Sequence, residues 1–198
     1  PELVKLVKAA ALVEHNGYDY ETYLNNVFGD DPEFRTAVAA WAREEVRHGE
    51  ALGRWATMAD PSFDFAAAFR KFTDGYKLPL DATTSVRGSR AGELMARCIV
   101  ETAADELRHY KLFYSHMRRW LERERLGKWG RLRIGLGRLH ESEDDELAYA
   151  YYAANADPGQ AYDRAKYSAA YIRRAYAVYR PGHVQRGVAM VLKAAGLE

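Results

Sequence analysis

The sequence predicts an all-α protein. Apolar residues recur at three- and four-residue intervals through most of the chain, as on one face of a helix. Helix-start and helix-stop residues fall between those stretches, and no two alternating apolar–polar segments suggest paired strands.

From Leu3 to Phe28 one helix is expected, with Leu3, Val7, Ala10, Leu24 and Phe28 on its apolar side. Gly29-Asp30-Asp31-Pro32 is a stop followed by a start, with Asp31 as N-cap and Pro32 at the first helical position. The second helix should run to about Met58 with Phe34, Val38, Trp41, Leu52 and Trp55 inward, until Asp60-Pro61 breaks it. Phe65, Phe69, Phe72 and Tyr76 mark a third, shorter helix, and Pro79 to Gly88 reads as loop. A long helix from about Ser89 past Trp120 carries Met95, Ile99, Phe113 and Trp120. Residues 118–138 hold eight basic and two acidic residues among four glycines, which predicts an irregular or weakly helical connection whose basic run reads as a solvated face in preference to a docking surface for an acidic partner. The acids Glu141, Glu143, Asp144, Asp145 and Glu146 suit a helix first turn. Tyr162, Ala165, Ala169, Ile172, Tyr176 and Tyr179 form another stripe, and Pro181-Gly182 separates it from a last amphipathic piece, Val184 to Ala195.

A chain of 198 residues is long enough for one compact domain. With 48% hydrophobic and 29% charged residues and a mean hydropathy of −0.46, it is not expected to be disordered. A net charge of +1 supplies no global field to recruit nucleic acid. No apolar run approaches the roughly 18 residues of a membrane span and no signal peptide is recognisable, so the cytoplasm is the expected compartment. The start at Pro1 without Met is consistent with trimming. Cys98 is the single cysteine, which excludes an internal disulfide and a four-cysteine metal site.

The informative feature lies where the stripes are interrupted. Between Trp41 and Leu52 the inward positions are Glu45 and His48; between Ile99 and Phe113 they include Glu106 and His109. Each pair is spaced i, i+3, so both side chains leave one helix face about 60° apart. A carboxylate and an imidazole on a buried seam are costly unless neutralised, and a first-row divalent metal takes both as ligands. A single Glu-x-x-His is a weak signal. Here the longer strings EEVRH (44–48) and DELRH (105–109) repeat one pattern, acid-Glu-x-Arg-His.

Glu44 and Asp105 could supply the outer carboxylates to which metal-bound histidines donate, Asp105 accepting from His48 and Glu44 from His109. Arg47 and Arg108 could pair with those carboxylates, or form plain surface salt bridges. Two such helices normally draw further carboxylates from other helices. Folding the first helix on the second about the Gly29–Asp31 turn sets Glu14 level with residue 45, while Glu21 lies roughly 10 Å further along. Glu14 is therefore the expected ligand; His15, about 100° away, is not.

These residues resemble the ferritin-like di-iron carboxylate superfamily, over about residues 2–120. More narrowly, GELMARCIVE followed by ADELRHYKLF is similar to a rubrerythrin-related bacterial group, in which Glu101 would be the remaining carboxylate. The resemblance implies a ferritin-like four-helix bundle over residues 1–126, with residues 127–198 as a C-terminal helical extension packed on it. It implies two iron ions, or manganese or a mixed pair, and a di-iron oxidase or oxygenase activating O₂ or peroxide. An apolar small-molecule substrate, an electron donor and a homodimer would accompany that function. The alternative is an iron-handling or peroxide-scavenging protein without an organic substrate.

One departure stands out. Glu101 and Glu106 are five residues apart, about 140° around one helix, and cannot both face a bundle centre if the helix is unbroken. Either a stretch is missing between them, or the third carboxylate is abnormal, with Asp64 or Asp74 the nearest substitutes. Glu93 reads as an early-turn acid, His116 as an interior histidine, and the tyrosines from Tyr149 onward as packing residues. Tyr18 and Tyr110 lie closest to the ligands in sequence.

Overall fold

A computed structural model of the chain describes residues 2–100, 107–140, 145–178 and 181–196. Every described regular element is a helix: α1 Glu2–His15, α2 Gly17–Val27, α3 Pro32–Ala59, α4 Phe65–Gly75, α5 Arg90–Val100, α6 Leu107–Glu124, α7 Lys128–His140, α8 Asp145–Asn155, α9 Arg164–Val178 and α10 Pro181–Ala195.

The starts follow from capping chemistry. Asp31 accepts the Phe34 N–H at 3.1 Å and Asp64 accepts the Ala67 N–H at 2.9 Å. Ser89 Oγ accepts the Gly92 N–H at 2.9 Å, and Asp163 accepts the Lys166 N–H at 3.0 Å. Each cap satisfies a donor that the first helical turn leaves over. Asp64, a candidate substitute carboxylate, thus caps α4.

The first expected helix is two helices. It breaks at the buried Asn16, whose N–H donates to Val13 O while its carbonyl accepts from Asp19 N. Asn and Gly in sequence carry little helix propensity, so the break there is inexpensive. In the opposite sense, the glycine-rich stretch expected to be irregular forms α7. Gly135 is buried opposite Met95 of α5, and Ile134 packs so close that a Cβ on Gly92 of α5 would lie 2.9 Å from its Cδ1, so tertiary packing overrides propensity.

The chain forms two compact units. The first comprises residues 1–23, 38–80 and 143–178. In it α1 packs against α8, α4 and α9 around Ala9, Leu12, Phe72, Tyr151 and Tyr167. Tyr149, Tyr152, Tyr162 and Tyr167 form a network of ring contacts, with centroids 4.8–6.2 Å apart, so these tyrosines do pack as expected. The face of α9 differs from the expected stripe: Ala165 and Ala169 are exposed, and Tyr167 is buried. Alanines gain little from burial, so the larger rings set the orientation. Trp55 is likewise 42% exposed, and Ala56 takes the inward position. A strict 3-4 pattern drifts about 20° per heptad from a straight helix, and two heptads from Trp41 carry position 55 off the seam.

The second unit comprises residues 24–37, 81–142 and 179–198. Its core includes Phe28, Phe34, Leu94, Met95, Phe113 and Trp120. Glu124 of α6 accepts the Arg90 and Ala91 N–H groups at 3.0 and 2.8 Å, completing the start of α5. Glu93 sits in that first turn, buried, and accepts from Ser85 Oγ at 2.8 Å.

Beside this core lies a buried polar knot. Asp31 Oδ2 accepts from Arg119 Nη2 at 2.5 Å and Trp120 Nε1 at 2.9 Å. Arg119 also reaches Glu33, and its Nη2 lies 2.7 Å from His116 Nδ1. His116 is 7% exposed, with its ring edge on Phe34. Because the guanidinium can only donate, Nδ1 must be the unprotonated nitrogen. Burial, then the Arg119 charge, lowers the His116 pKa below its ordinary 6.5. The unfolded chain therefore takes up this proton first as the pH falls. Stability should decline below about pH 6.5, with the full loss reached once the pH is below the folded-state value. Thermal unfolding of the protein and of His116→Phe across pH 5–8 checks this: the variant should lose that part of the slope.

Candidate metal centre

The first unit brings three of the expected ligands together. Glu14 lies in the last turn of α1, and Glu45 and His48 leave one face of α3. One ligand atom from each lies within 4.8 Å of the other two. His48 Nδ1 and Glu14 Oε2 are 3.8 Å apart. Glu45 is buried, at 7% exposure, whereas Glu14 and His48 are half-buried.

Two glycines create this approach. A Cβ on Gly49 would lie 2.4 Å from His15 N and 2.6 Å from His15 Cα. On Gly17 it would lie 2.9 Å from Ala42 O and 3.0 Å from Glu45 Cβ. The helix carrying Glu14 therefore rests on the backbone of α3 beside Glu45 and His48. His15 turns aside: its Nδ1 faces Val46 O at 3.5 Å, and its ring meets Phe65 and Phe69 edge-on. Sequence reasoning passed over both glycines. The only available signal was Gly49, placed four residues after Glu45 on the same face.

The donor set suits a divalent first-row metal: two carboxylates and one imidazole, leaving coordination positions open. Ligand atoms about 2.1 Å from an ion lie at most about 4.2 Å from one another, so small side-chain rotations would close the cluster on a cation.

The other expected site residues are placed as follows. His109 is 1% exposed in the second unit, on α6. Glu101, Asp105 and Glu106 lie outside the described residues, and with them the question of an unbroken helix from 101 to 109. Glu44 is half-buried, and Arg47 and Arg108 are exposed. Tyr18 is 53% exposed, whereas Tyr110 is buried and donates to Met190 O at 3.2 Å. Asp74 is exposed on α4.

Fold and cluster together define an all-helical protein with a carboxylate–imidazole site of metal-ligand type. No protein-family model, curated protein or solved structure matches the chain. No described helix is long and apolar enough to cross a membrane.

Proposed function

We propose that this protein is a metal-dependent oxidoreductase of the ferritin-like, di-iron carboxylate type, with Glu14, Glu45 and His48 holding one metal. The supporting observation is the convergence of those three side chains in a chain whose Glu-x-x-His string occurs twice. Glu101, Glu106 and His109 are the ligands the sequence offers for a second metal, with Glu44 and Asp105 as outer carboxylates. Bound iron would supply the electrons and Lewis acidity with which O₂ or peroxide is reduced. The chain's own contribution is charge and access. Glu45 brings a buried carboxylate that would offset the charge of a divalent ion, and the less enclosed Glu14 and His48 give the cluster a solvent-exposed edge.

That partly open edge also favours a second reading, an iron-handling or peroxide-scavenging protein without an organic substrate. Metal analysis of the purified protein tests the site. Two metals per chain are expected, with His48→Ala and Glu45→Gln each losing metal and His109→Ala retaining at most one. Unchanged metal content and melting temperature in all three variants would reject the assignment. Mixing the ferrous protein with O₂ separates the two readings: an oxidase consumes O₂ without laying down a mineral core, and an iron store forms one.

A further inference from the structure

The basic segment that follows α6 has a face that the metal chemistry does not use. Trp129 of α7 is 84% exposed and Leu136 is 56% exposed. At 100° per residue these two side chains leave the helix about 20° apart, with Leu132 half-buried beside them and the exposed Arg133 within about 40°. The inward side is different: Gly135 rests near Met95, and Ile134 lies against Gly92 of α5. This helix therefore has an apolar stripe directed away from its own core.

Cations border that stripe. α7 contains no acidic residue, and Lys128 and Arg133 lie on either side of Trp129. Arg118, Arg125, Lys128 and Arg133 are exposed, and none forms an ion pair with a described residue. Of the two acids within residues 118–138, Glu124 is occupied by the Arg90 and Ala91 N–H groups.

We infer that α7 is an interfacial helix that docks the protein on an anionic lipid surface. Tryptophan has an apolar body and a polar N–H suited to the headgroup boundary, and flanking lysines and arginines suit anionic headgroups. Lys128 and Arg133, unpaired and beside a narrow apolar stripe, with Arg118 and Arg125 also unpaired earlier in the basic segment, match a diffuse negative surface, which requires no partner carboxylate at any fixed point. The chain's net charge of +1 conceals the patch, because acids elsewhere balance it.

Co-sedimentation of the full chain with equimolar phosphatidylglycerol–phosphatidylcholine vesicles tests the inference, with pure phosphatidylcholine vesicles alongside. Partition is expected on the anionic vesicles only, with a blue shift of tryptophan emission, and it should weaken as salt rises. Trp129→Ala should remove the shift and weaken partition by about tenfold, the loss of the main apolar anchor. Lys128→Gln and Arg133→Gln should each weaken it about fivefold. All three positions are exposed, so the fold should tolerate the changes, and unaltered far-ultraviolet circular dichroism would confirm that. Failure to bind anionic vesicles, or equal binding by Trp129→Ala, would overturn the inference. So would salt-sensitive binding to duplex DNA or an acidic protein without vesicle binding.

Discussion

Replacing Gly49 by Ala should disrupt the proposed metal centre without touching a ligand. The new methyl group would sit 2.4 Å from His15 N and 2.6 Å from His15 Cα, and a backbone cannot rotate out of the way as a side chain can. Overpacking of this kind costs about 1–3 kcal/mol, from which Ala's better helix propensity recovers up to about 1 kcal/mol. A net cost of up to about 2 kcal/mol remains, so a chain of this length should melt up to roughly 8 °C lower. The larger effect is on metal affinity, because α1 carries Glu14 and must move away from α3. A fall of about 100-fold is expected by calorimetric titration with ferrous or manganous ion, at the upper end of what lost outer partners cause. Gly137→Ala is the control: a Cβ there meets nothing within 4 Å, so it should stabilise α7 slightly and leave affinity unchanged. Equal affinity in Gly49→Ala and the wild type would show that close approach of α1 is not what assembles the cluster.

Asp31→Ala should be strongly destabilising. Its carboxylate caps α3 and receives Arg119 and the Trp120 indole N–H, and its side chain is 3% exposed. Removing one partner of a buried pair costs about 3–5 kcal/mol, and the lost cap falls within that sum. The melting temperature should drop by roughly 6–20 °C. Asp30, one residue earlier, also forms an arginine pair, 2.7 Å from Arg90 Nη1, but its side chain is 70% exposed. Asp30→Ala should therefore change little, since solvent already screens that pair. Similar melting curves for the two variants would contradict the assignment of the knot as a stability centre. Burial opposes ionisation of Asp31, yet the bonds from Phe34 N, Trp120 and Arg119 outweigh it and lower its pKa. Its contribution is present above the ordinary carboxylate range and is lost as the pH falls through the lowered value.

Helix type and most helix starts were legible in the sequence because they depend on local chemistry. Asp31-Pro32, Asp60-Pro61 and the Phe-rich run each signal a boundary or a face without help from distant residues. Glu14 was legible for a different reason: folding the N-terminal helical stretch back on α3 about the Gly29–Asp31 turn sets 14 level with 45, and the break at Asn16 does not undo that register. Gly49 was not, since a glycine inside a helix reads as a small penalty until the backbone pressed against it is known. Trp55 was misplaced because a pattern of alternating threes and fours has a period of 3.5, whereas the helix turns every 3.6 residues. The glycines of α7 were read as breakers because what holds this helix, the packing of Ile134 and Gly135 on Gly92 and Met95 of α5, belongs to the partner helix. Arg119 offered no signal at all; its acceptors, Asp31 and Glu33, lie more than eighty residues upstream.

The pairing of α1 with α8 joins stretches of chain more than a hundred residues apart. During synthesis from the N-terminus, the helix bearing Glu14 emerges long before the surface that will cover Ala9 and Leu12. Until α8 and α9 have followed, those apolar positions lack their native cover, and the native contacts that complete the unit are non-local ones that form slowly. The three ligands, by contrast, all lie within the first 48 residues and close only a short loop. Metal capture at the proposed site would therefore hold α1 against α3 while the remainder of the chain is made.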